Sequence, residues 1–146
     1  MQLIKDKQVI ENKWHFLPDD TNLETGAITV SANRWQKDRE QLLKHTGTVG
    51  VRLSPSNSVD EIVNDLNGIG LIELDFPDFA DGRLFTFAWL LRNRYNYQGE
   101  IRATGHFMSG QVFYLSRVGV NAFALEKDED VNASLEALND FSVKYQ

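Results

Sequence analysis

The chain has 146 residues, 42% of them hydrophobic, a net charge of −6 from 15 basic and 21 acidic side chains, and no cysteine. That length buries a core without staples. The acidic balance argues against nucleic acid or an anionic membrane as the main partner, and the missing thiols exclude disulfides, thiol nucleophiles, thiolate zinc sites and cysteine-held iron–sulfur clusters.

The opening stretch MQLIKDKQVIENKW lacks the apolar run of a signal peptide, and no segment reaches membrane-spanning length, so a cytoplasmic protein of one domain is expected. Residues 1–46 read as an N-terminal extension. QLIKD, QVIENKWHFL and AITVSA look like short strands, with turn signals at Asp6-Lys7 and Pro18-Asp19-Asp20. A helix is expected over Arg34–Lys44, with Trp35, Leu42 and Leu43 on its apolar face and Gly47 as a cap beyond its end.

From residue 47 the pattern alternates. Strand Thr48–Ser54 precedes helix Val59–Asn67, and strand Leu71–Phe76 precedes helix Leu84–Tyr95. Strand Ile101–Phe107 then precedes helix Gly110–Val118, and strand Ala122–Glu126 precedes helix Asn132–Ser142. Ser58 and Glu61 have capping-box spacing. The expected fold is α/β: four consecutive parallel βα units.

The strands do not read as the continuous apolar runs of a sheet buried on both faces. Val49, Val51 and Leu53 oppose Gly50 and Arg52; Ile72, Leu74 and Phe76 oppose Glu73 and Asp75. Ile101, Ala103 and Phe107 oppose Arg102, Thr104 and His106, and Phe123 and Leu125 oppose Ala122, Ala124 and Glu126. One face is apolar and takes the helices; the other is small and charged. That suits units wound in one direction, like half of a (β/α)8 barrel, with the charges on the concave face. The N-terminal segment, a second subunit or a ligand must cover it.

The loop Pro77-Asp78-Phe79-Ala80-Asp81-Gly82-Arg83 falls at the C-terminal edge of the sheet, where α/β proteins place their sites. Asp81 suits a helix N-cap. Arg52, Glu73, Asp75, Arg102 and His106 approach that edge, and Asp78 and Arg83 could complete a polar mouth for a small oxyanion. The competing reading is an ion-pair layer in which Arg52 and Arg102 neutralise Glu73 and Asp75. There is no P-loop, and Gly68-Ile69-Gly70 precedes a strand instead of following one. His15, His45 and His106 lack metal-ligand spacing, so no metal is expected, and the residues name no cofactor. Trp14, Trp35 and Trp89 could line a flat cofactor pocket, but tryptophans at such periodic positions are more often core or interface. The all-round apolar helix with Phe85 and Trp89 suggests a dimer contact or a docked N-terminal segment.

Phe76-Pro77-Asp78-Phe79-Ala80-Asp81-Gly82-Arg83, Leu90-Leu91-Arg92 and Gly99-Glu100-Ile101-Arg102-Ala103-Thr104-Gly105, with Gln111, Arg117-Val118-Gly119 and Ala122-Phe123, resemble a bacterial family of uncharacterised proteins. That family carries the label of probable oxidoreductases involved in sulfite reduction. The likeness extends to Trp35, Arg39, Leu42-Leu43 and Gly50-Val51-Arg52-Leu53. His106 stands where the family has an acid or amide, and Gly110 where it has an aspartate before Gln111. The resemblance implies a role in assimilatory sulfite reduction and adds Gln111 to the candidate ligand-binding residues. A cysteine-free chain would serve there as an accessory module, with sulfite reductase as the expected partner. The alternatives are a small-oxyanion enzyme at the sheet edge and a homodimeric structural protein with a paired charge layer.

Overall fold

The computed structural model describes residues 2–77, 82–125 and 127–144, without the side chains of 128, 129 and 140–144. Strands β1 (Gln2–Lys5) and β2 (Gln8–Ile10) form a hairpin with Lys5 opposite Gln8. Asp6 and Lys7 turn between them at φ 51° and 68°, the left-handed pair that matches the twist of a two-residue hairpin. Strands β3 (His15–Phe16) and β4 (Ile28–Ser31) lead to helices α1 (Ala32–Lys37) and α2 (Arg39–Leu43). Then come β5 (Val49–Leu53), two 3-10 segments at Val59–Glu61 and Val63–Gly68, β6 (Leu71–Phe76), α3 (Arg83–Asn93) and β7 (Glu100–Gly105). A 3-10 turn at Ser109–Gln111 enters α4 (Val112–Arg117), followed by β8 (Ala122–Leu125) and α5 (Asp128–Lys144).

All eight strands join one sheet in the order β2-β1-β8-β7-β6-β5-β4-β3. From β3 to β8 every neighbour is parallel, whereas β1 pairs antiparallel with both β8 and β2. Each crossover from β4 onward therefore steps in the same direction. Right-handed connections then put the helices on one face. The core agrees: Trp35, Leu42, Ile62, Leu84, Ala88, Leu91, Leu115 and Leu138 join Val51, Ile72, Leu74, Ile101 and Phe123 in one buried cluster.

The expected α/β order of β6–α3, β7–α4 and β8–α5 forms, but the count of four βα units does not describe the whole parallel run. The parallel run takes in β3 and β4, which were expected in the N-terminal extension, and β4 with α1 and α2 acts as a further unit. The expected helix over Val59–Asn67 is two 3-10 segments. Ser58 Oγ caps Asp60 N–H there, and Glu61 accepts instead from Asn57 Nδ2, so no capping box closes. The helix expected over Arg34–Lys44 starts earlier, capped by Ser31, and breaks at Asp38, whose carboxylate takes the Arg34 Nε–H.

The largest departure is QVIENKWHFL, expected as one strand. It splits into β2 and β3, which lie at opposite edges of the sheet. Seven inter-strand steps would separate the edges of a flat sheet by about 34 Å. The five residue steps from Ile10 to His15 reach at most about 18 Å. The sheet must therefore curl, and residues 11–14 strap its two edges together. The half-barrel curl and the strap are one constraint seen from two sides.

Candidate functional site

The register fixes which charges meet on the concave face. Arg52 pairs with Glu73 across β5 and β6, and Glu73 with Arg102 across β6 and β7. The expected alternation holds from Val49 to Leu53, Leu71 to Phe76, Glu100 to Gly105 and Ala122 to Leu125, so that Arg52, Glu73, Asp75 and Arg102 share this face. His106 and Phe107 fall past the end of β7, and Glu126 lies outside the described residues. Their partners are less symmetrical than the row suggests. Arg52 donates from Nε to Glu73 Oε1 at 3.3 Å and lies over the Phe16 ring, 3.7 Å from its centroid. Arg102 turns away from Glu73 to Glu100, two residues back on its own strand, at 2.9 Å from Nε and 2.7 Å from Nη2. Glu100 also takes Lys5 Nζ at 3.1 Å. The expectation that Arg102 would neutralise Glu73 or Asp75 is corrected on that point.

The strap completes the layer. Asn12 Oδ1 accepts from Arg102 Nη1 at 3.1 Å and from the Trp14 backbone N–H at 3.0 Å. Arg102 is 1% exposed and Glu73 5% exposed, so these charges are interior groups. Burial at that depth is tolerated only with partners in place. Lys5, Asn12, Trp14, Phe16 and Glu100 belong to this constellation; of these only Trp14 is a candidate from sequence, for the wall of a flat cofactor pocket. Nothing local marks the others, because a strap contact depends on where the two edges of the sheet end up.

The C-terminal edge is looser. Asp75 is half-buried, and its Oδ1 would stand 2.7 Å from a Cβ on Gly105, which turns at φ +86°. His106 is exposed and tied in by its backbone N–H to Phe76 O at 2.8 Å. Arg83 is exposed at the start of α3. Gln111 does not face the mouth through a free amide, since its Oε1 accepts from Met108 N–H at 2.9 Å and closes the 3-10 turn. Asp78 and Asp81, with the expected Asp81 cap, lie outside the described residues; the N-cap position of α3 is Gly82.

Two other polar clusters pin the outer layer. Trp35 Nε1 donates to Asp65 Oδ2 at 2.8 Å, and Arg39 adds two bonds to the same carboxylate at 2.9 and 2.6 Å. The hydrogen bonds from Arg39 above all, then Trp35, hold the Asp65 carboxyl below its ordinary value against the opposing effect of burial. Arg92 reaches the carbonyls of Tyr97, Gly99 and Gly119, clamping the exits of α3 and α4. Burial pulls its guanidinium below the ordinary value. Among the described residues no group of three or more histidines and carboxylates is placed to hold a metal, and no helix is long and apolar enough to cross a membrane.

A cleft of about 460 Å³ opens beside the buried layer, lined by Leu3, Lys5, Ile10, Glu11, Lys13, Trp14, Glu100 and Arg102. It lies at the N-terminal end of β7, under the strap.

Fold and site together describe a singly wound, curled α/β sheet on whose concave face Arg52 and Arg102 have carboxylate partners. A family model described as bacterial protein of unknown function (DUF934) matches residues 50–146. The chain belongs to that family. A comparison with curated proteins finds none that matches it.

Proposed function

We propose that the chain is an accessory module of assimilatory sulfite reduction that works by binding a partner protein and carries no redox chemistry of its own. The link to sulfite reduction rests on the family resemblance in the Phe76–Arg83 and Gly99–Gly105 segments. The accessory role rests on the missing cysteines and on one observation above all: two of the three arginines expected at the oxyanion mouth, Arg52 and Arg102, are already committed. Arg52 is engaged by Glu73 and Phe16, and Arg102 by Glu100 and Asn12. Such a layer supports a scaffold role. The outward candidate for a contact is Trp89 on α3, 51% exposed, an aromatic of the kind enriched in interface hot spots. Phe85, one turn earlier, is partly spent at home, edge-on to Phe76 at 6.0 Å.

The partner is sulfite reductase under this reading. Mixing purified chain with purified sulfite reductase and following co-elution and heat of binding tests it. A saturable complex, weakened by Trp89→Ala, is the expected result. A small-oxyanion enzyme at the sheet edge ranks below, because its two best cations have partners. A homodimer through Trp89 is separated from the first reading by the mass of the chain alone in solution.

A further inference from the structure

The cleft under the strap has no part in the partner-binding reading, and its composition is that of a ligand site. We propose that it binds a small planar organic anion, an aromatic ring bearing a carboxylate or sulfonate.

Size comes first. About 460 Å³ falls in the range of small-molecule sites. An inorganic oxyanion would leave most of it empty. The walls divide by chemistry. Leu3, 2% exposed, gives an apolar floor; Ile10, 38% exposed, and the half-buried Trp14 indole give apolar surface on the open side. An indole face beside a branched aliphatic side chain suits a flat ring.

Charge decides the sign. Lys5, Lys13 and Arg102 line the cleft against Glu11 and Glu100, three cations to two carboxylates. Glu100 alone serves both Lys5 and Arg102, so that triad carries excess positive charge. Arg102 is held by two Glu100 bonds and by Asn12, which fixes its field in place without reorganisation. Lys13 sits exposed on the strap and can swing onto an incoming anion. The site is at the N-terminal end of β7, away from the mouth expected at the C-terminal edge. Of the sequence candidates it uses only Arg102.

The test uses the full chain, isotope-labelled, with 2-naphthoate as probe and the neutral 2-naphthalenemethanol as control. The expected result is one saturable set of amide shifts on Ile10, Lys13 and the Trp14 indole N–H, with Trp89 unmoved. The control should bind at least about tenfold more weakly, and Lys13→Glu should weaken the naphthoate by a similar factor while leaving the rest of the spectrum in place. No saturable shift at Trp14, shifts confined to Trp89, or equal binding of the neutral control would each overturn the proposal. So would a Lys13→Glu chain that binds naphthoate unchanged.

Discussion

Arg102 donates from Nη1 to the side-chain oxygen of Asn12 at 3.1 Å, across 90 residues of sequence. Through this bond the strap between β2 and β3 is held against the interior of the curled sheet. It is also why a buried guanidinium can sit in the concave face, with Glu100 taking its other donors.

Truncating Arg102 leaves Glu100, whose side chain is 9% exposed, with Lys5 as its remaining charged partner. Arg102→Ala is expected to destabilise by about 3 kcal/mol, the low end for a broken buried pair because Lys5 persists. Urea unfolding measures it. Arg102→Met with Glu100→Gln should recover part of the loss, and a double variant worse than Arg102→Ala would contradict the pairing.

Asn12→Ala removes the strap bond without removing a charge. The expected cost is about 1.5–3 kcal/mol, that of a hydrogen bond to a charged group. Hydrogen exchange should rise across residues 11–16 and stay unchanged at Trp35 and Asp65. A uniform rise across the whole chain would mean that the strap is not a separate local unit.

Asp65 ties Trp35 and Arg39 to the segment before β6. Trp35 is 0% exposed, so Asp65→Ala orphans a buried indole N–H and should cost about 1–3 kcal/mol. The pH dependence has a definite sign. The folded carboxyl lies below its ordinary value of 3.8, so its stabilising share is complete above that value and is lost as pH falls through the lowered one. In acid titration the gap between wild type and Asp65→Ala should narrow across that window and keep the part owed to the Trp35 indole N–H, which a protonated carboxyl still accepts.

Gly105 ends β7 at φ +86°, and a Cβ there would meet Phe76 O at 2.5 Å. Both the backbone conformation and the contact exclude a side chain, and the contact is backbone, which cannot swing aside. Gly105→Ala should destabilise by more than about 1 kcal/mol, with amide shifts centred on Asp75 and His106. A silent substitution would mean the turn re-forms in another way.

Much of the sheet is legible in the sequence. In β5, β6 and β7 the charged Arg52, Glu73 and Arg102 each stand between two aliphatic side chains, and period two allows only one face for them. What could not be read was long-range. QVIENKWHFL carries no glycine or proline, and only its polar centre Glu11-Asn12-Lys13 separates the part that ends at one sheet edge from the part that joins the other. The partner of Arg102 was equally hidden. Glu73 is its register neighbour, yet Glu100 on the same strand and face competes and wins. The 3-10 form of residues 59–68 escaped because Ser58 and Glu61 carry the right letters for a capping box while Asn57 takes the Glu61 carboxylate. The sequence put Arg52, Glu73 and Arg102 on one face and offered the N-terminal segment among its possible covers, but it carried no sign of Glu100 as the partner of Arg102 or of Asn12 as the residue that meets it.

Under the proposed function the chain binds its partner through an exposed protein surface, while Arg52 and Arg102 are engaged inside the fold. Calorimetric titration of purified sulfite reductase with the chain, and with its Trp89→Ala variant, tests this most directly. Trp89 is half-exposed, so the variant should keep wild-type stability within about 0.5 kcal/mol. The account predicts saturable binding that weakens at least about tenfold in the variant. No heat of binding by either chain, or equal affinity for both, would contradict it.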